Sequence, residues 1–262
     1  MHEFDVIGAG APTDQAHGLR RMFGGTAASH IALVANPHVA FTSVLLERLT
    51  TTLAASGLNT LVVDAADSSP APRELAALDL RAGIEPLSEH VSYLAARGLP
   101  LAHVDTRGSS AHLLDRLQSV APGVRVLLVH AGAADLARLY PQRALRPLLL
   151  AADHPESLTH AYASMKLLAQ RSGWMSADLL LAAAPNSPRA ALIAQRLGSC
   201  AEHFLGAALR EWVAVDPACD VRDAPGEALG ALVAAQLLMG DAAQAPRHLP
   251  RRGPAQRAMS LN

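Results

Sequence analysis

The chain has 262 residues, 50% hydrophobic, 17% charged and 3% aromatic, with a formal net charge of -1. That length and apolar share suit one α/β domain with a substantial core, and the near-neutral charge excludes a general nucleic-acid binder. Two cysteines, Cys200 and Cys219, exclude a disulfide framework and show no zinc-finger spacing, so a reducing cytoplasm is the expected compartment.

The opening "MHEFDVIGAG" has neither a basic n-region nor an apolar core, so no signal peptide is expected. "TDQAHGLRRMF", Thr13 to Phe23, predicts a short helix capped by Thr13 or Asp14 and tethered through "GGTAAS". Leu19, Met22 and Phe23 share one apolar face, and Gln15 stands four residues before Leu19 on the same face. A helix this short is marginal alone, since isolated helices below roughly 12–15 residues need something to pack on. It either folds back onto its own domain or orders in a partner's groove.

From His30 onward, apolar runs alternate with helical patterns. Strands are predicted in "IALVA" (from Ile31), "TLVVD" (Thr60), "LAHVD" (Leu101), "VRVLLVH" (Val124), "RPLLLAA" (Arg146), "DLLLAA" (Asp178) and "LREWVAV" (Leu209). Helices are predicted in "FTSVLLERLTTTLAASG", "SAHLLDRLQSVAPG", "ESLTHAYASMKLLAQRSG" and "SPRAALIAQRLGSCAEHFLG". The strands are continuous apolar runs, as in a mostly parallel sheet covered on both faces, so the expected fold is a doubly wound α/β domain. "ALGALVAAQLLMG", from Ala228, is too short to span a membrane and predicts a buried core helix. The expected organisation is an N-terminal helix and linker (1–28), an α/β domain (29–240) and a disordered Pro/Arg-rich tail (241–262).

The first strand, turn, helix and second strand form a βαβ unit of the nucleotide-binding kind, and Asp64 ends its second strand. A phosphate loop needs glycines for backbone approach, a lysine for the β/γ oxygens and Ser/Thr for the metal. "NPHVAFTS" keeps only Ser43, and Pro37 removes one N–H. With about 1.5–3 kcal/mol for each missing charge-assisted contact, triphosphate binding should weaken roughly a thousandfold or more. The other motifs are weaker. "GAGAPT" departs from the dinucleotide fingerprint, "VDTRGSS" is a strand end and turn, and there is no H-E-x-x-H or G-x-S-x-G, so no metal site is expected.

"DQAHGLR", Asp14 to Arg20, resembles the D-Q-A-x-x-L-R motif at the N-terminus of the FlhG/FleN-type, MinD-like ATPases that control flagellar number and placement. "LLLAADHPESLTHAYASMKLLAQR" resembles that family's P-E-x-x-x-x-x-A-Y segment, and "CAEHFLGAALREWVAVDPACDVRDA" its A-x-x-F-L-G segment and adenine loop, which contains Asp216. The resemblance implies a MinD-type P-loop NTPase fold of the ParA family. Aligned this way, the family's K-G-G-V-G-K-T falls on Pro37 to Ser43, so both lysines are missing. Its magnesium-side aspartate falls on His130, and its adenine-reading asparagine falls within "LLLAAA". Ser43, Asp64 and Asp216 remain as a vestigial cofactor site, so neither ATP nor magnesium is expected as a cofactor.

What the resemblance implies for function is a pseudo-ATPase that docks its N-terminal helix on the signal-recognition-type GTPase FlhF and stimulates GTP hydrolysis. Gln15 would act in trans at the GTPase site, Leu19 would anchor the apolar face with Ala16 and Phe23, Arg20 would contact the rim, and Asp14 would cap the helix. Flagellar switch or regulatory proteins are further expected partners, whereas the tail has no amphipathic period for membrane binding. Two alternatives stand beside this reading: an active ATPase using a rearranged site around Ser43 and Asp64, and a non-enzymatic flagellar scaffold.

Overall fold

The computed structural model describes residues 28–74, 79–184, 186–220 and 223–244. The predicted helix at Thr13 to Phe23 and the tail from 245 lie outside these residues.

β1 (Ser29–Val34) leads through a turn into α1 (Thr42–Ala55) and back into β2 (Thr60–Asp64). A 3-10 turn (Leu80–Gly83) opens a hairpin of β3 (Ile84–Pro86) and β4 (Val91–Ala95), followed by the single-turn α2 (Leu99–Ala102) and by α3 (Ala111–Val120). The rest alternates: β5 (Val126–Ala131), α4 (Ala133–Leu139), β6 (Leu148–Ala152), α5 (Pro155–Ser172), β7 (Ser176–Ala182), α6 (Pro188–Leu205), β8 (Ala208–Val215) and α7 (Glu227–Gln244). The strands form one sheet in the order β3-β4-β2-β5-β1-β6-β7-β8, parallel except for the β3–β4 pair.

This is the expected mostly parallel α/β sheet with helices on both faces. Alternate residues of β1 point to opposite faces, as the period of two requires. Ala32 and Val34 join the core with α3, α4, α5 and α6; Ile31 and Leu33 join the core with α1 and α7. Among the described residues, the second face carries these two helices over a wide sheet. Its β2–β4 flank, with Val62, Val91 and Tyr93, is left beside α1 as the floor of a groove.

Two expectations are corrected. "LAHVD" is not a strand: Leu99, Pro100, Leu101 and Ala102 turn once as α2 behind Gly98, whose φ of 79° only glycine adopts without strain, and Pro100 opens the helix where its missing N–H costs nothing. The strand is instead "VSYLA", whose Ser and Tyr interrupt the apolar run because β4 lies near the sheet edge; the edge strand β3 tolerates Pro86. The segment from Ala228 is not wholly buried, because α7 buries Leu229, Leu232, Val233 and Gln236 while leaving Leu238 exposed.

Two buried polar groups lock the sheet. Asp178, fully buried, accepts from Glu211 N (3.0 Å) and Gln236 Nε2 (2.6 Å) and lies 2.8 Å from Arg146 Nε as an ion pair. Burial raises its pKa, and these partners oppose the rise. His30 sits between Tyr140 Oη (3.0 Å from Nδ1) and Gln118 Nε2 (2.8 Å from Nε2). Gln118 donates to Nε2, so Nδ1 carries the proton and donates to Tyr140. Burial, helped by the charge of Arg143, lowers the His30 pKa to about 3. The unfolded chain binds a proton near the ordinary value of about 6.5 that the folded chain refuses, so stability is lost as pH falls below 6.5. Urea unfolding at pH 6.5 and pH 5 is expected to show up to about 2 kcal/mol of this loss, and His30→Gln to remove one proton's worth of the slope; an unchanged slope would refute the assignment.

Candidate functional site

The β1–α1 turn is where an α/β sheet presents ligands at the carboxyl ends of its strands. Asn36, buried just after β1, fixes it: Nδ2 donates to Leu150 O (2.9 Å) and Ser157 O (2.9 Å) and lies 3.0 Å from Ser157 Oγ, while Oδ1 accepts from His38 N (3.1 Å). Thr42 Oγ1 closes the turn by donating to Val39 O at 3.0 Å. Between them Phe41 caps α1 with φ 59° and ψ 33°, the one non-glycine with positive φ among the described residues. A left-handed aromatic costs roughly 1–2 kcal/mol, and its ring is 67% exposed, so packing does not repay that cost. The turn keeps the backbone shape of a glycine at this position without the glycine.

Asp64, at the end of β2, faces His130, near the end of β5, in the register that pairs the two residues directly. Nδ1 of His130 donates to Asp64 Oδ1 at 2.7 Å; the ionised carboxylate can only accept. Ser69 Oγ donates to the same oxygen and Tyr93 Oη donates to Oδ2 at 3.0 Å. Burial alone would raise the Asp64 pKa, but His130 first, then Ser69 and Tyr93, outweigh it and hold the carboxyl below its ordinary range. Burial, together with the same carboxylate, pushes the Tyr93 hydroxyl well above its usual value. Asp64 is therefore an anion held by three donors, an imidazole N–H and two hydroxyls. The other ring nitrogen, His130 Nε2, is buried without a hydrogen-bond partner among the described residues.

Asp64 and His130 stand at the head of a groove of about 740 Å³ between α1 and the β2–β4 flank. Thr42, Ser43 and Glu47 line its upper wall, Leu46, Ala54, Val62 and Val91 its apolar length. Among the described residues, no lysine or arginine lines it. On the far side of α1, Arg48 is buried and donates to Asp223 O (2.6 Å) and Ala224 O (3.1 Å), which clamps the loop after β8.

The structure thus brings Ser43 and Asp64 to one groove. Asp216 lies apart in the loop after β8, where its Oδ1 accepts from Ala218 N at 2.8 Å as a turn cap. Asp14, Gln15, Ala16, Leu19, Arg20 and Phe23 lie outside the described residues. "VDTRGSS" forms a turn around Asp105, which accepts from Arg107 N and Ser109 N. Among the described residues no group of three or more His, Cys, Asp and Glu could hold a metal, and no helix is long and apolar enough to cross a membrane. Sequence reasoning misses Asn36, Ser69, Tyr93 and the Arg48 clamp; none stands in a motif, and Tyr93 lies on a strand that the apolar runs do not reveal.

No family model and no curated protein matches the chain. Solved structures do. The ATP complex of a McdA point variant from Cyanothece superposes with a TM-score of 0.50 at 11% identity, covering 83% of this chain and 95% of that one. The chain has the fold of that protein. A ParA family ATPase from Chlorobium tepidum TLS (TM-score 0.48, 14% identity, 83% of this chain and 98% of that one) is also similar. So is the MinC:MinD cell division protein complex of Aquifex aeolicus (TM-score 0.46, 11% identity, 70% and 79%). At 11% identity the likeness to the McdA variant establishes architecture alone.

Proposed function

We propose that this chain is a regulator of flagellar number and placement in which a MinD-like domain has lost ATP turnover and an N-terminal helix stimulates an FlhF-like GTPase. The observation that carries the first half is the state of Asp64. A carboxylate that serves a magnesium ion must offer its oxygens to the ion or to water bound on it, and both Asp64 oxygens already accept, from His130, Ser69 and Tyr93. Among the described residues, the groove beside it offers no lysine or arginine to a triphosphate, and Phe41 fills the left-handed position where backbone N–H groups would converge. Residues and cofactor do not fit, so no step is assigned to magnesium or ATP.

The second half rests on Asp14 to Arg20, "DQAHGLR", whose resemblance to the activator motif motivates it. Flagellar switch or regulatory proteins would then meet the sheet domain, in a cytoplasmic setting.

One pair of experiments tests both halves. Calorimetric titration of the full chain with ATP and magnesium is expected to give no binding heat up to millimolar nucleotide; saturable heat would restore the active-ATPase reading. A peptide covering Met1 to Gly25 is expected to raise the GTPase rate of an FlhF-like partner, and the absence of any stimulation by either peptide or full chain would remove the activator role.

A further inference from the structure

Among the described residues, no element covers the groove beside α1, and the register of the sheet says what can reach it. Ser29 pairs with Val126, Val126 with Thr60, and Thr60 with Val91, so one straight row joins the start of the chain's first strand to the foot of the groove. Three strand spacings make that row about 14 Å long, and a packed layer sits about 10 Å above the sheet. A point in that layer over β2 and β4 is then about 16 Å from Ser29, whereas residues 24–28, extended, span about 17 Å. Phe23 would then reach the foot of the groove with almost nothing to spare.

From there Thr13 to Phe23, as the helix its sequence predicts, would be about 16 Å long, and α1 walls the groove from Thr42 to Ala54 over about 18 Å. Gln15, eight residues before Phe23, would stand about 12 Å up, and Asp64, four residues along β2 from Thr60, about 13 Å up. The lengths agree within one residue.

Chemistry agrees with length. Among the described residues, the groove's charged side chains are the carboxylates Glu47 and Asp64, and the segment carries Arg20 and Arg21. Its apolar length (Leu46, Ala54, Val62, Val91) matches the face formed by Leu19, Met22 and Phe23. At the head, Ser43 is exposed and lines the groove, and a glutamine carboxamide can donate to its hydroxyl or accept from it.

We propose that the segment Thr13 to Phe23 docks in cis along the groove between α1 and the β2–β4 flank, with Phe23 at its foot and Gln15 at its head, beside Ser43 and Asp64. Docked, the segment hides Leu19 and Gln15; the protein is latched until a partner competes for the helix. The consequence for signalling rests on the function proposed above, but the docking does not.

Disulfide trapping in the full chain tests it, in a background with Cys200→Ser and Cys219→Ser. Phe23→Cys with Ala54→Cys is expected to cross-link within one chain on mild oxidation. Phe23→Cys with Phe204→Cys, on the exposed surface of α6, is expected not to. Equal trapping of both pairs, trapping only between two chains, or no trapping overturns the proposal. Hydrogen exchange needs no engineered cysteines: Leu19→Asp with Phe23→Asp should speed exchange several-fold in α1 and around Leu87 to Tyr93, and unchanged exchange also overturns it. The trapped chain should lose GTPase stimulation and regain it on reduction. A chain that traps as expected but never stimulates a GTPase leaves the docking standing and removes the activator role.

Discussion

Gln15→Ala is expected to leave an FlhF-like GTPase at its basal rate while binding it as tightly as the unchanged chain does. The separation follows from what each side chain can do. A carboxamide both donates and accepts, so it can orient an attacking water against a phosphoryl group without adding charge. Such an interaction matters in the transition state and little in the ground state, so its removal lowers the rate and spares affinity. A loss of at least tenfold, on the order of 1.4 kcal/mol in the barrier, is the expected size. Leu19→Asp should do the reverse and abolish binding, because it sets a charge in the middle of the apolar face. Single-turnover GTP hydrolysis beside a binding titration separates the two. If Gln15→Ala stimulates as well as the unchanged chain, Gln15 is not the group acting at the GTPase.

Much of the architecture can be read from apolar runs because this sheet is buried on both faces. β1, β2, β5, β6 and β7 each carry three to five consecutive apolar residues, with the polar ones at or near their ends, so periodicity and burial say the same thing. The reading fails where that coupling relaxes. β4 lies near an edge and carries Ser92 and Tyr93, while "LAHVD" has strand composition but follows a glycine and a proline that set a helical turn. The site is legible in the same unequal way. Ser43 and Asp64 sit on a βαβ unit whose spacing announces them, and His130 stands where the resembled motif has a carboxylate. What no spacing can announce is that His130 turns its Nδ1 onto Asp64, because that contact joins residues on neighbouring strands and depends on register. Asp216 shows the converse: a motif position whose carboxylate is used by its own turn.

The Asp64–His130 pair explains how a buried carboxylate can stay ionised at the head of the groove. A buried anion left alone would cost several kcal/mol, and an imidazole at 2.7 Å with two hydroxyl donors supplies what a cation would otherwise supply. Reversing that replacement gives the prediction with the largest expected effect on stability. His130→Asp sets two carboxylates face to face; one must take up a proton or repel the other, and urea unfolding at pH 7 is expected to lose about 3–5 kcal/mol, the usual cost of breaking a buried pair. Magnesium should then become a ligand of the folded chain. If it binds only that state, a concentration a hundredfold above its Kd returns about 2.7 kcal/mol, so unfolding of the variant should depend on magnesium where the unchanged protein's does not. His130→Gln keeps a donor facing Asp64 and should lose less and ignore the ion. A His130→Asp chain as stable as the original without magnesium would mean that the imidazole is not what holds Asp64 in its ionised form.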